Sequence, residues 1–213
     1  LVDQAVAANP DGLGVTNAVP DALRDSIQRA LDAGIEVVAY NAGGGPLVDK
    51  VEYLTYYGLD QFYQYQSGYV GGLRLAEEGG AGGVCINHGS GQADLDQRCQ
   101  GFLVAMQDSG LPASILPVSA DPTEAQATIA DHLSANPGTD IVLTLGPAGS
   151  MPFYAYMNQA GLGPGDVTHA TFDLDQDIIA RIQDGTTLFA VDQQPFWQGY
   201  GTVQALMLKL RYG

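Results

Sequence analysis

Three planar polar side chains, Asn41, Asp173 and Gln193, each stand where an apolar run stops, and these are the residues best suited to grip a small polar molecule. Asn and Gln carry a donor and an acceptor, and an ionised Asp carries two acceptor oxygens, so each meets two adjacent groups of a guest with paired hydrogen bonds. The alternative for each is a turn or a helix cap, positions that Asn and Asp also favour. Behind Asp173 a second acid, Asp175, is better placed to cap the following helix, which leaves Asp173 for the guest. Arg98, one of only 8 basic residues, falls in the second turn of an expected helix and offers five donors in a rigid fork. Its alternative is a surface ion pair with Asp94 or Asp96. The loop Asn87-His88-Gly89-Ser90-Gly91-Gln92 is polar and glycine-rich, so its backbone N–H groups can approach a guest closely, and His88 within it joins the candidates.

These residues bind; they do not assemble a reaction centre. The chain has no G-x-S-x-G, no P-loop and no G-x-G-x-x-G between a strand and a helix. The run Gly79 to Gly83 precedes its strand and so cannot cradle a phosphate at a helix start. His132 and His169 lie in no triad-like grouping, and two cysteines are too few for a structural zinc site. No catalytic residue, metal or cofactor is implied. The balance of 24 acidic against 8 basic side chains, a net charge of −16, repels phosphate backbones and argues against nucleic-acid binding. No apolar run approaches the roughly 20 residues of a membrane helix, and no secretory-type segment opens the chain.

The elements that must position the candidates follow from the apolar pattern. Short apolar runs at 12–17, 35–41, 53–58, 83–88, 113–119, 140–145, 167–173 and 187–192 read as strands. Amphipathic stretches at 20–33, 61–78, 93–109, 122–135, 149–160, 175–184 and 196–211 read as helices. Strands without in–out alternation, each followed by a helix, are buried on both faces, which predicts a doubly wound α/β class with parallel sheets. Asn41, Asp173 and Gln193 then stand at carboxyl ends of strands, where such sheets bind ligands. Cys85 on a strand and Cys99 on the next helix are either a disulfide, which fits an extracytoplasmic home, or two small buried hydrophobes.

The chain also echoes itself. Ala8-Asn9-Pro10 and Ala135-Asn136-Pro137 each precede an apolar run, and Ala33-Gly34 and Ala160-Gly161 each end the helix that follows. Asn9 and Asn136, like Ala33 and Ala160, are 127 positions apart. Each copy then enters a further strand, one ending at Asn41 and the other at Asp173. Two similar lobes, with those residues facing a common guest, are the expectation.

Five stretches in order carry a family likeness: Asn9-Pro10-Asp11-Gly12-Leu13 with Ala30 to Asn41; Arg98-Cys99-Gln100-Gly101-Phe102; Phe172-Asp173; Asp192-Gln193-Gln194-Pro195; and Gly199-Tyr200. Together they resemble the type I periplasmic sugar-binding proteins, the ribose-binding type of ABC-transporter receptor. The resemblance implies two Rossmann-like lobes with a ligand cleft between them, 1–60 with 195–213 and 61–194, and chain crossings near Asp60 and Gln193-Gln194. It implies that part of the first lobe lies upstream and a short segment downstream. It also implies a monomeric, periplasmic or otherwise extracytoplasmic receptor that closes on a sugar and hands it to the membrane permease of an ABC transporter. Two departures concern the ligand. Gly146-Pro147 stands where the family carries an Asn, so Gly146 is a candidate contact, and Pro122 stands where it carries a stacking aromatic. Tyr40, Tyr57 and Trp197 are the remaining platforms for a sugar's C–H face, each of them also explicable as ordinary packing. The competing readings are the effector domain of a lac-repressor-type regulator, against which the acidity and the cysteine pair argue, and a receptor for a nucleoside or signalling molecule.

Overall fold

The computed structural model describes residues 1–42, 52–53 and 61–213, which group into two compact units. Unit 1 is Leu1–Tyr63 with Gln193–Gly213, and unit 2 is Gln64–Asp192.

In unit 1, α1 (Val2–Ala7) leads to β1 (Gly12–Val15), α2 (Pro20–Asp32), β2 (Glu36–Ala39) and β3 (Glu52–Tyr53), and the chain returns to it as α8 (Pro195–Tyr212). The strands pair parallel in the order β1-β2-β3, with Gly12 opposite Glu36 and Val38 opposite Glu52. Proline at the start of α2 pre-sets the helical φ, Asp21 complements the helix dipole, and Gly34 (φ +76°) stops the helix in a left-handed turn. Ile27 and Ala30 of α2 bury against Val15, Val37 and Ala39 of the sheet. On α8 the buried stripe runs through Gln198 and Thr202. The expected strand 53–58 coincides with β3 only at Tyr53, and its remainder, with Tyr57 and Asp60, lies outside the described residues.

Unit 2 contains α3 (Gln61–Ala76, from Gln64 on), β4 (Gly83–Asn87), α4 (Ala93–Asp108), β5 (Ala113–Pro117), α5 (Pro122–Ala135), β6 (Ile141–Thr144), α6 (Pro147–Ala160), β7 (Thr168–Phe172), α7 (Gln176–Gln183) and β8 (Phe189–Val191). Its five strands are all parallel, in the order β5-β4-β6-β7-β8. Both faces of the sheet are covered. Cys85, Ile141, Leu143, Ala170 and Phe172 meet Leu75 of α3 and Leu95, Phe102 and Met106 of α4. Val84, Ile86 and Val142 meet Ile129 of α5, Phe153 of α6 and Ile178 of α7 on the other side. The continuous apolar runs in the sequence have this double burial as their cause.

Helices α3 and α4 touch backbone to backbone. A Cβ on Gly68 would fall 1.9 Å from the Arg98 carbonyl oxygen, and one on Gly101 would fall 2.0 Å from that of Tyr65. Only glycine fits at either place, and the approach fixes where Arg98 stands. Helix α6 begins at Pro147, two residues before the expected start, because Pro147 occupies its first turn and Gly146 caps it.

Cys85 and Cys99 are joined as a disulfide, their Cα atoms 5.5 Å apart and 14 residues apart in sequence. A loop of that length restricts the unfolded chain by about 3 kcal/mol in the chain-entropy model. Urea unfolding of the Cys85→Ala/Cys99→Ala variant is expected to show a loss of about that size, with thiol reductant shifting the native chain but not the variant.

Candidate ligand site

The strand order of unit 2 reverses between β4 and β6, since β4 is followed by β5 on one side and β6 returns on the other. Crossovers that leave in opposite directions open a crevice at the carboxyl ends of the two strands. His88 follows β4 directly, Gly146 lies just beyond β6, and Asp173 ends β7 next to it.

These residues converge. Gly146 has φ +142°, and a Cβ there would stand 3.1 Å from Asp173 Oδ2 and 3.8 Å from His88 Cε1. A Cβ on Gly149 would stand 3.4 Å from His88 Nδ1. The missing side chains at 146 and 149 therefore make room for the imidazole and the carboxylate. Asp173 is itself left-handed (φ +64°), a conformation Asp tolerates better than most residues, and its N–H donates to the Val191 carbonyl at 2.9 Å. The helix that follows is capped by Asp175, whose Oδ1 accepts from the Ile178 N–H at 2.7 Å. Capping is thus the task of Asp175, as the sequence implied.

Arg98 is 2% exposed, so it is no surface ion-pair residue. Asp96 is committed elsewhere: it accepts from Asn87 Nδ2 at 2.8 Å and from the Gly91 N–H at 3.0 Å, which shapes the loop around His88. The Arg98 guanidinium lies 4.4 Å over the Phe172 ring and donates from Nε to Gln64 Oε1 at 2.7 Å. Burial pulls its pKa down, and the charges of Asp94 and Asp173 oppose that pull. The His88 pKa is likewise lowered, first by burial and then by Arg98, with Asp173 and Asp94 pushing the other way. His88 is consequently a neutral imidazole at pH 7, one nitrogen a donor and the other an acceptor. Its Nδ1, with Asp94 Oδ1, is buried without a hydrogen-bond partner among the described residues.

A buried polar chain braces this crevice from below. Ser150 Oγ donates to the Gly146 carbonyl at 3.0 Å and sits 2.7 Å from both Thr144 Oγ1 and Thr171 Oγ1. Thr144 meets His169 Nε2 at 2.9 Å, and His169 Nδ1 meets Thr187 Oγ1 at 2.9 Å. Complete burial drives the His169 pKa from 6.5 to about 3, so this ring serves as a neutral link.

Unit 1 carries its own set. Asn41, at the end of β2, is left-handed (φ +62°) like Asp173, and its Nδ2 donates to Gln198 Oε1 at 2.9 Å and Gln193 Oε1 at 3.3 Å. The structure thus brings Asn41 and Gln193 together. Tyr40 is half-buried, its ring edge 3.7 Å from where Gly14 would carry a Cβ. Trp197 lies on the exposed face of α8, edge-on to Phe196 and Tyr200. Pro122 opens α5 behind its cap Asp121. Sequence reasoning missed Gln64 and Gln198, which touch Arg98 and Asn41. The available signal was the shared run Phe62-Tyr63-Gln64 and Phe196-Trp197-Gln198.

A family model described as periplasmic binding protein domain matches residues 1–213. The xylose/arabinose-binding protein XylF of Sulfolobus acidocaldarius is 23% identical over 98% of the chain and 54% of its own length, so the chain spans about half of that curated relative. A solved carbohydrate transporter from Acidothermus cellulolyticus 11B, in complex with myo-inositol, is 32% identical with a TM-score of 0.84, covering 100% of this chain and 71% of that one. A periplasmic sugar-binding protein of an ABC sugar transporter from Legionella pneumophila superposes with a TM-score of 0.86 at 24% identity, covering 99% of this chain and 77% of that one.

Two outcomes follow from the geometry. Gly146→Ala places a methyl against the Asp173 carboxylate in a backbone region that alanine disfavours. It is expected to cost about 1–3 kcal/mol in chemical denaturation. His169, neutral when folded down to about pH 3, takes up a proton near 6.5 once unfolded. The unfolded state therefore binds more protons below pH 6.5, so stability falls as pH falls through that window, by up to about 1.4 kcal/mol per unit. Between pH 7 and 5, His169→Gln is expected to flatten that slope in urea titrations.

Proposed function

Since the chain belongs to the periplasmic binding protein domain family, we propose that it acts as an extracytoplasmic receptor for a small polyhydroxylated ligand of the sugar class, bound without chemical change. One observation carries this reading: Asp173 and His88 converge on Gly146 where the strand order of unit 2 reverses, with the buried Arg98 guanidinium stacked on Phe172, the residue before Asp173. An anionic acceptor, a cationic fork of donors and a neutral imidazole suit a guest whose hydroxyls both donate and accept. Asn41 and Gln193, with Gly146, complete the candidate contacts, and Tyr40 is the candidate platform in unit 1. The relatives that bind myo-inositol or are named for xylose and arabinose support the choice of a polyol over a nucleoside. The disulfide supports an oxidising compartment.

Hinge closure is the mechanical part of the proposal, with 1–60 and 195–213 as one lobe and 61–194 as the other. A ligand that hydrogen-bonds to residues of both lobes lowers the free energy only of arrangements in which it reaches both. The liganded receptor then delivers its cargo to the permease of an ABC transporter, as a monomer.

Titration calorimetry of the full chain against pentoses, hexoses, inositols and nucleosides tests the reading. Saturable binding of one polyol is expected, and Asp173→Ala is expected to weaken it by about 2–4 kcal/mol by leaving hydroxyls unpaired in a dry site. Tight binding of a nucleoside alone, or an unaltered affinity in Asp173→Ala, would remove it.

A further inference from the structure

The chain passes from unit 1 to unit 2 after Tyr63 and back after Asp192, and a helix starts at each passage. The fourth residue of each helix is a glutamine, Gln64 in α3 and Gln198 in α8, following Phe62-Tyr63 in one and Phe196-Trp197 in the other. Both glutamines are buried, 3% and 2% exposed. Their own carbonyls are held alike, Gln64 by Ser67 Oγ at 2.8 Å and Gln198 by Thr202 Oγ1 at 2.7 Å. Each then turns its Oε1 to one candidate contact of its unit, Gln64 to Arg98 Nε and Gln198 to Asn41 Nδ2.

We propose that Gln64 and Gln198 are positioning residues, one per unit, that set the direction and hydrogen-bonding polarity of the Arg98 and Asn41 side chains. This rests on the receptor reading above and assigns roles to two residues beyond its contacts. For Arg98 the constraint is orientational. The Phe172 ring fixes the guanidinium plane, and the Gln64 bond to Nε fixes rotation within that plane. Together they turn the Nη1 and Nη2 edge away from Gln64. A long, rotamer-rich side chain is thereby ordered before a ligand arrives.

For Asn41 the constraint is one of polarity, and it traces to a main-chain carbonyl. Gln198 Nε2 donates to the Gln193 carbonyl oxygen at 2.7 Å, and a carbonyl only accepts. The other end of that amide, Oε1, must then be the acceptor that faces Asn41. Asn41 answers with Nδ2, which turns its own Oδ1 the opposite way. An amide flip at Asn41 would set oxygen against oxygen. The polarity of Asn41 is thus set from within unit 1, as the direction of Arg98 is set from within unit 2.

The test separates this inference from the receptor reading. In the ligand-free chain, NMR exchange of the Arg98 Nε–H and Asn41 Nδ2–H protons is expected to be slow, and at least tenfold faster in Gln64→Met and Gln198→Met respectively. Gln64→Glu, which keeps the acceptor, restores slow exchange at Arg98. Equal exchange in native and Met variants overturns the inference whether or not any sugar binds. With myo-inositol, xylose or arabinose as the probe, each Met variant is expected to bind about tenfold more weakly. Gln198→Met is expected to have no further effect on affinity in an Asn41→Ala background. An equal loss in both backgrounds would mean that Gln198 acts through the fold and not through Asn41, and would also overturn the inference. Absence of binding by all three sugars counts against the sugar reading alone, with the exchange rates still deciding this one.

Discussion

A permanently charged guanidinium almost wholly removed from water sets the terms for unit 2. Arg98 cannot shed its proton as a buried lysine can, so its surroundings must answer the charge. Phe172 supplies a π face, Gln64 a neutral acceptor, and Asp94 and Asp173 the opposing charge. These residues come from α3, from the start of α4, and from β7 with the residue that follows it, so one side chain requires three pieces of chain to be in place. The contact of α3 with α4 through Gly68 and Gly101 is what brings Gln64 and Arg98 within hydrogen-bonding reach. A single added methyl at either glycine would push the helices apart and take the Gln64 acceptor from the Nε–H of a buried cation, which costs more than losing an exposed ion pair.

The same crevice is kept neutral elsewhere. His88 and His169 both have lowered pKa values, chiefly because burial disfavours an imidazolium. The charge in the crevice is therefore one cation against Asp94 and Asp173, with neutral hydrogen-bonding groups around them. His169, Thr144, Ser150 and Thr187 form a satisfied buried network, which in a low-dielectric interior rigidifies what it touches. What it touches is the Gly146 carbonyl, at the turn against which Asp173 and His88 rest.

The two units use related devices with different chemistry. Asn41 and Asp173, 132 positions apart, end the strands that follow the 127-residue echo, and both are left-handed, with φ of +62° and +64°. Gly34 and Gly161, also corresponding, are both left-handed, at +76° and +70°. Asn9 and Asn136 do not match in this way, since Asn9 is left-handed and Asn136 has φ −125°. The repeat is kept where a strand end presents a side chain or a helix must stop, and relaxed at the connection before the first strand.

The sequence determined the class of fold, because double burial of parallel strands writes itself as unbroken apolar runs between amphipathic ones, and helix ends are marked by local signals such as Pro20, Gly34 and Asp175. It also determined that Asn41, Asp173 and Gln193 stand at strand ends and that Asp175 takes the cap. Tertiary structure decided the partners. The burial of Arg98, the room that Gly146 and Gly149 leave for His88, and the union of Cys85 with Cys99 depend on segments distant in sequence meeting at ångström precision. The shared run around Gln64 and Gln198 does not reveal their role for the same reason: a glutamine in a helix's first turn reads as solvated polar surface until the packing that buries it is known.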